Sequence, residues 1–391
     1  MPNAMITGWG KCVPPAVLTN SDLETVTDTS DDWITTRTGI KERRISHVEV
    51  SDLSAVAARR ALAAAGLEPT DIDLIIMATC SPDRLIPSAG TMVQAKIGAT
   101  NAAAMDLNAA CSGFLFGLAT ADQMIRTGSM RRVLVIGAEK LSYWLDFTNR
   151  ATSVLFGDGA GAVVLEAVEE DVGAPPGSGE PGRPGMGLGP HAREEGGVGA
   201  PPGSGKPGLL AFELGSDGTA GNLLCVPGTG TEGNPLETVA PSILMEGQDV
   251  FRRAVVAMGD SSARVIEKAG LTLEDVDLLI PHQANVRIID ATARRLALDP
   301  AQVYVNIASY GNTSAATIPI ALTEALEEGR IQPGSTIVFA AFGGGFTWAA
   351  AVYRWGSRTT PLGVSDAELP PSDATALELL RPNLELHGRG V

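Results

Sequence analysis

The stretch Gly66-Leu67-Glu68-Pro69-Thr70-Asp71-Ile72-Asp73-Leu74-Ile75-Ile76 recurs as Gly270-Leu271-Thr272-Leu273-Glu274-Asp275-Val276-Asp277-Leu278-Leu279-Ile280, at an offset of 204 residues from Asp71 to Asp275. Each copy follows a long helical pattern and ends in a short apolar run, which reads as helix, turn and buried strand. The likeness extends outward. Gly128 and Gly329 close the next helical patterns at an offset of 201, and Val133-Leu134-Val135-Ile136 matches Ile337-Val338-Phe339-Ala340 at 204 again. Two such units predict an α/β fold of duplicated halves packed face to face.

The offset of 201 pairs Cys111 with Asn312, so each half presents a polar group at a helix start. Around the cysteine, Ala103 to Leu107 reads as a short buried strand. Phe114, Leu118, Ala121, Met124 and Ile125 then recur at helical spacing until Thr127-Gly128. Cys111 is thereby expected in the helix's first turn, where free N–H groups and the positive end of the dipole favour a thiolate. The alternative is a small buried hydrophobe, as most free cysteines are.

Composition narrows the classes of function. With 391 residues, 44% of them hydrophobic, the chain can bury a large core. No segment approaches the roughly 20 uninterrupted apolar residues of a membrane span, and Met1 to Cys12 lacks the pattern of a secretory leader, so the expected location is cytoplasmic. The cysteines at 12, 80, 111 and 225 form no Cys-x-x-Cys pair, which argues against a zinc site or a disulfide framework. A formal charge of −16 argues against a general nucleic-acid surface and leaves any anionic partner to a local basic patch. One candidate is Arg287, Arg294 and Arg295, with 287 and 294 two turns apart on one helical face; an ordinary solvated face is the plainer reading.

Only four histidines exist, and His282 stands in Pro281-His282-Gln283-Ala284-Asn285, directly after the strand of the second repeat. Strand ends are where α/β folds build their sites. Cys111, His282 and Asn312 together make a set suited to acyl chemistry on a thiol. Tyr310-Gly311-Asn312-Thr313-Ser314 also supplies plain helix caps. Phe342-Gly343-Gly344-Gly345-Phe346 permits close approach of backbone N–H groups to a developing oxyanion. Phe156-Gly157-Asp158-Gly159-Ala160-Gly161 precedes an apolar strand where a dinucleotide fingerprint demands a helix, so it reads as a structural turn.

Elsewhere, Ser21 and Ser51 or Asp52 stand at expected helix caps, and Asp31 to Ile40 mixes Trp33 and Arg37 with hydroxyls, suiting an adenine and its phosphates or, equally, a helix end. Residues 1–172 and 209–355 are the expected halves. Between them 173–208 carries 13 glycines and 8 prolines, repeats Gly-Ala-Pro-Pro-Gly-Ser-Gly, and reads as a flexible insertion that removes His191 from consideration. The tail 356–391 is punctuated by proline, with one short helix expected around Ala374 to Leu380.

The blocks Trp33 to Ile40, Ala109 to Phe114, Phe156 to Ala162, Pro281 to Ile288, Gly311 to Ala316 and Phe342 to Trp348 resemble, in order, those of the β-ketoacyl-acyl-carrier-protein synthase III family of thiolase-like ketosynthases. The resemblance spans about Ala4 to Trp355. It implies a five-layer αβαβα fold, a homodimer, and decarboxylative condensation of an acyl-coenzyme A primer with malonyl-acyl-carrier protein, with no cofactor or metal. In that scheme Cys111 is acylated, His282 and Asn312 act on the malonyl unit, and the backbone N–H groups of Cys111 and Gly344 form the oxyanion hole. Trp33, Arg37 and Arg150 match contacts to the adenine and phosphates of coenzyme A, and Gly247 and Asn285 match its pantetheine tunnel. Arg287, Arg294 and Arg295 match the carrier-protein patch. Ile86 stands where some members place a phenylalanine that limits the partner subunit's acyl pocket, so a primer bulkier than acetyl is expected. Two other readings share the fold: an acyltransferase to an oxygen or nitrogen nucleophile, and an inactive ketosynthase partner subunit.

Overall fold

The computed structural model describes residues 2–168, 206–228 and 241–387. In chain order its first half comprises β1 (Asn3–Cys12), β2 (Ala16–Thr19), α1 (Asn20–Val26), α2 (Asp31–Thr38), β3 (Glu42–Ile45), α3 (Val50–Ala65), β4 (Leu74–Ala78), α4 (Ala89–Ile97), β5 (Ala103–Leu107), α5 (Gly113–Arg126), β6 (Arg132–Lys140), α6 (Arg150–Ser153) and β7 (Asp158–Val168). Then come β8 (Gly208–Ser216), β9 (Leu224–Cys225), β10 (Leu244–Met245), α7 (Gly247–Lys268), β11 (Leu278–Pro281), α8 (Val286–Arg295), α9 (Ile307–Tyr310), α10 (Thr317–Glu327), β12 (Thr336–Gly343), β13 (Thr347–Arg354) and α11 (Ala376–Leu386).

Two main sheets run in the orders β1-β7-β6-β4-β5 and β8-β13-β12-β11. Their registers repeat as well as their order. Leu74 of β4 faces Val133 of β6, and Leu278 of β11 faces Ile337 of β12, both pairs parallel. The place of β5 in the second sheet is taken by a single bridge from Leu279 to Val303. Side chains alternate faces along each strand. Ile76, Val135, Ile280 and Phe339 therefore point inward onto α5 and α10, which lie between the sheets. Ile75, Leu134 and Ile136 point outward to α3 and α4. On the far side Leu279 and Val338 meet α7 and α8. The result is the five-layer αβαβα duplication.

Several local expectations change. Thr19, not Ser21, caps α1, closing a capping box with Asp22. Helix α3 starts at Val50 without a side-chain cap, because the Ser51 N–H (2.9 Å) and hydroxyl (2.5 Å) are both given to Asp83. Strand β5 is a partly exposed edge rather than a buried strand. The pairing of Cys111 with Asn312 also falls. The turns Ala110–Ser112 and Ser314–Ala316 correspond, each opening on a left-handed residue, Ala110 at φ 47° and Ser314 at φ 50°. Cys111 thus corresponds to Ala315 and Asn312 to Asn108, whose side-chain oxygen accepts from the Ala110 N–H as that of Asn312 accepts from Ser314. The offset slips because α5 has 14 residues and α10 only 11, a difference recovered in the connection to β12.

Gly208 opens β8 and so belongs to the sheet, not the insertion; residues 173–205 of that segment and 388–391 of the tail lie outside the described residues. From Trp355 the tail turns back over the first half. The Arg358 guanidinium donates to the Thr7 carbonyl at 2.9 Å and the Leu362 N–H to that of Ala64 at 3.0 Å. Helix α11 then buries Ala376, Leu380 and Leu384 in a cluster with Leu18, Leu141 and Phe147.

The halves interlock through glycine. A Cβ on Gly137 of β6 would lie 2.2 Å from the Ala315 carbonyl, and one on Gly343 of β12 would lie 2.6 Å from the Cys111 nitrogen. The Gly137→Ala variant is expected to lose about 1–3 kcal/mol of unfolding free energy, the usual cost of overpacking, as a lowered denaturant midpoint.

Candidate active site

Cys111 lies in the single 3-10 turn Ala110–Ser112, which runs directly into α5. Its surroundings override the helix end. Burial pushes the thiol up to about 12; a hydrogen bond with Ser314 and a backbone hydrogen bond pull it down, while the Glu139 carboxylate pushes it further up. The expected resting thiolate is therefore replaced by a thiol, since an anion in so dry a space loses more hydration than the dipole returns.

His282 follows β11, fully buried, and burial pushes its imidazole down to about 3, so the ring is neutral. Its Nδ1 lies 2.7 Å from the Thr317 hydroxyl oxygen, and its Nε2 is buried with no hydrogen-bond partner among the described residues. Thr317 has one hydroxyl proton and two acceptors in reach, Nδ1 and the Ser314 carbonyl at 3.0 Å. When it donates to Nδ1, the ring proton sits on Nε2 and that orphan nitrogen becomes a donor. Asn312 is oriented similarly. Its Oδ1 accepts from the Ser314 N–H at 2.8 Å, and its backbone is held by Leu155 and Gly157 at 2.9 and 3.1 Å. The Nδ2 group is left as the open donor.

Cys111, Ser314, Gly344 and Gly345 line one cavity of about 320 Å³, walled by Leu141, Trp144, Phe156 and Ile243. The glycine loop is clamped to the Cys111 turn by the Thr347 hydroxyl, which donates to the Ala109 carbonyl at 2.9 Å. An outer cavity of about 520 Å³ brings together Trp33, Arg37, Gly247, Asn285 and Arg287. Arg150 joins them: its guanidinium lies 4.8 Å from the Trp33 ring centroid, and that of Arg37 5.3 Å. Asn285 caps α8 and donates to the Arg37 carbonyl at 3.1 Å. Val154, Leu155 and Met245 line the outer cavity, and their near neighbours in the chain, Phe156 and Ile243, line the inner one.

The arginine trio of α8 divides. Arg287 borders the outer cavity and Arg294 is exposed, whereas Arg295 is paired with Asp260 at 2.6 Å. Ile86 touches neither cavity; it is 88% exposed beside Leu85 at 80%. The block Phe156–Gly161 is not a turn: β7 already begins at Asp158, whose buried carboxylate accepts from the Ser46 N–H at 2.8 Å and the Ser142 N–H at 2.9 Å. Sequence reasoning missed Glu139, Ser314 and Thr317. A charged residue ending the apolar run Val133 to Ala138 was the visible signal for the first; the hydroxyls read only as caps.

Comparison with known proteins agrees with this geometry. Residues 105–175 match the family model "3-Oxoacyl-[acyl-carrier-protein (ACP)] synthase III" and 266–355 its C-terminal counterpart. A curated β-ketoacyl-[acyl-carrier-protein] synthase III 2 of Vibrio cholerae is 48% identical, covering 98% of this chain and 96% of its own. The chain belongs to the 3-oxoacyl-[acyl-carrier-protein] synthase III family. The crystal structure of the synthase III of Aquifex aeolicus superposes with TM-score 0.77 at 43% identity, covering 90% of this chain and all of that one. The priming β-ketosynthase of the R1128 polyketide pathway gives TM-score 0.78 at 31% identity, over 91% and 97% of the two chains. The Vibrio synthase III is matched over a span that takes in most of the tail.

In this synthase III, Thr317→Val is expected to leave acylation of Cys111 intact while slowing condensation on the order of 10²-fold, as for the loss of one oriented donor. Thr317→Ser is expected to restore it. Equal loss in both half-reactions would refute the tautomer assignment.

Proposed function

We propose that the protein condenses an acyl-coenzyme A primer with malonyl-acyl-carrier protein to give 3-oxoacyl-carrier protein and carbon dioxide. The observation that carries this reading is a buried thiol in one cavity with the Gly344 backbone and Ser314, where the Ser314 N–H also orients Asn312 and the Thr317 hydroxyl meets Nδ1 of a neutral His282. Coenzyme A binds in the outer cavity, where Trp33, Arg37 and Arg150 offer a π-face and two cations to the nucleotide and Gly247 and Asn285 flank the pantetheine. The acyl group transfers to Cys111, with the N–H groups of Cys111 and Gly344 stabilising the tetrahedral oxyanion.

Coenzyme A departs and the malonyl thioester enters. His282 Nε2–H and Asn312 Nδ2–H donate to its carbonyl oxygen, so that loss of carbon dioxide leaves a stabilised enolate without a strong base. The enolate attacks the acyl carbon and expels Cys111. Arg287 and Arg294 receive the acidic carrier protein, Arg295 being held by Asp260. Coenzyme A thioester is substrate, and no prosthetic group is required.

We further propose a homodimer joined along β5. The loop preceding α4 displays Leu85 and Ile86, and α4 is tied to that same edge, since Asp106 of β5 accepts from the Ala89 and Gly90 N–H groups at 2.8 and 2.7 Å. Ile86 thereby reaches the partner's acyl cavity. No helix among the described residues is long and apolar enough to cross a membrane, and the proposed location is the cytoplasm.

Asn312→Ala and His282→Ala are expected to form acyl-Cys111 from acyl-coenzyme A, read by intact mass, but to lose condensation by about 10²–10³-fold. Cys111→Ala abolishes acylation. Carbon dioxide release by the wild type that is independent of primer would count against condensation, and failure of folded Asn312→Ala to acylate would place the asparagine in thiol activation instead. Ile86→Phe is expected to shift preference toward short primers; unchanged kcat/KM ratios across chain lengths would remove Ile86 from the pocket.

A further inference from the structure

Cys111 must give up a proton before it can attack, and the two polar residues assigned to the malonyl step are poor acceptors. His282 is held neutral by burial at a site where gaining a proton is strongly opposed, and Asn312 has no basic atom. Behind the sulfur lies a carboxylate.

Glu139, near the end of β6, is fully buried. Its Oε2 accepts from the Ser81 hydroxyl at 2.5 Å, the Ser81 N–H at 3.1 Å and the Thr79 hydroxyl at 3.2 Å. Its Oε1 accepts from the Cys80 thiol at 3.3 Å and the Ser314 hydroxyl at 3.0 Å. The Cys80 N–H lies 3.2 and 3.1 Å from the two oxygens. Backbone donors cannot reverse, so the group is held as an acceptor. Among the described residues no cation pairs with it; Lys140, next on the strand, reaches Glu49 instead at 3.6 Å. The titratable groups facing it are Cys80, from the loop after β4, and Cys111, from the turn before α5. Ser314, in the left-handed conformation that L residues rarely adopt, donates to Glu139 at 3.0 Å and lines the same cavity as Cys111, which places its hydroxyl between the carboxylate and the thiol's cavity. A carboxylate that merely pinned the 79–81 loop to β6 would need no bond to this turn of the opposite half.

We infer that Ser314 and Glu139 form the proton relay that charges Cys111: the Sγ–H proton passes to Ser314 Oγ as the serine's own hydroxyl proton passes to Glu139 Oε1. An S–H bond breaks, an O–H bond forms at each oxygen, and the serine's original O–H bond breaks. One negative charge moves from carboxylate to sulfur, with no exchange with solvent. The thiolate then attacks the acyl-coenzyme A carbonyl, and coenzyme A leaves as its thiolate. Glu139 stays protonated through the acyl-enzyme and returns its proton when condensation expels Cys111. Burial raises both the thiol and the carboxyl, which suits a pair that shares a single charge. The repulsion that ionised Glu139 exerts on the thiolate vanishes when it takes the proton.

The inference rests on Cys111 being the acylated nucleophile, which label transfer from acyl-coenzyme A to the wild type tests separately. The relay is tested without substrate, by the pH dependence of Cys111 alkylation with iodoacetamide followed by intact mass. Wild type is expected to show a rate independent of pH over a neutral plateau, because internal transfer leaves the total protonation unchanged. Glu139→Gln should lose the plateau, show a rate that climbs steadily with pH, and react on the order of 10²-fold slower near neutrality, whereas Ser314→Ala, which keeps the carboxylate, should keep the plateau at a lowered rate. Difference infrared spectra of the wild-type acyl-enzyme should show a protonated carboxylic acid that is absent in Glu139→Gln. A wild-type profile without a plateau, an undiminished plateau rate in folded Ser314→Ala, or an acyl-enzyme with ionised Glu139 would each overturn the relay; the infrared measurement decides even if Glu139→Gln fails to fold.

Discussion

The site depends on one packing constraint: each half seats its polar turn on the central strand of the other. The Cys111 turn lies on β12 with Gly343 beneath it, and the Ser314 turn lies on β6 with Gly137 beneath it. Any side chain at either glycine would drive its Cβ into the facing backbone. Because the turns are held from the opposite half, the distances among Cys111, Ser314, His282 and Asn312 are set by the inter-sheet core rather than by flexible loops. The cost falls on the backbone at Ala110 and Ser314, both in the left-handed region.

Burial then decides the electrostatics. The same desolvation that raises the Cys111 thiol lowers the His282 imidazole, and both shifts remove charge from the resting site. A neutral ring suits a hydrogen-bond donor to an enolate, whereas an imidazolium would stabilise the malonyl carboxylate and oppose its loss. A dry site also strengthens every fixed dipole within it. In the proposed reaction, activation of Cys111 is assigned to a neighbour that shares its charge. Fixed dipoles alone leave the thiol well above its ordinary value.

Much of this was legible in the chain. The repeat beginning at Gly66 and Gly270 predicted duplicated halves because strand register across parallel pairs is strict, and a shift of one residue would turn core residues outward. Cys111, His282 and Asn312 were visible as polar groups at strand or helix ends. Their partners were not, because the hydrogen bonds from Ser314 to Glu139 and from Thr317 to His282 span 175 and 35 residues and leave no local pattern. Serine and threonine at a helix start satisfy a capping rule whether or not they also face a catalytic group. The slip between Cys111 and Asn312 had a similar origin: sequence offset sees a three-residue difference but not that it accumulates inside α10, after the turn has already been set. The path of the tail was opaque because its partners lie hundreds of residues away: Leu362 meets Ala64 through backbone groups that any sequence carries, and the Arg358 guanidinium reaches Thr7.

A net charge of −16 and an acidic protein partner are compatible only if the docking face is depleted of carboxylates or has them engaged. Helix α8 and the adjoining α7 show the second solution. Arg295 is bound to Asp260 and Arg252 to Asp249, while Arg264 holds Glu213 and Arg253 holds Asp217. Each such pair is exposed and adds little stability. Its effect is to engage local carboxylates, leaving Arg287 at the outer cavity and Arg294 two turns along the same face of α8, with the exposed Asp290 between them. On the proposed assignment of the outer cavity to coenzyme A and the carrier's arm, the four pairs keep repulsion low around its mouth.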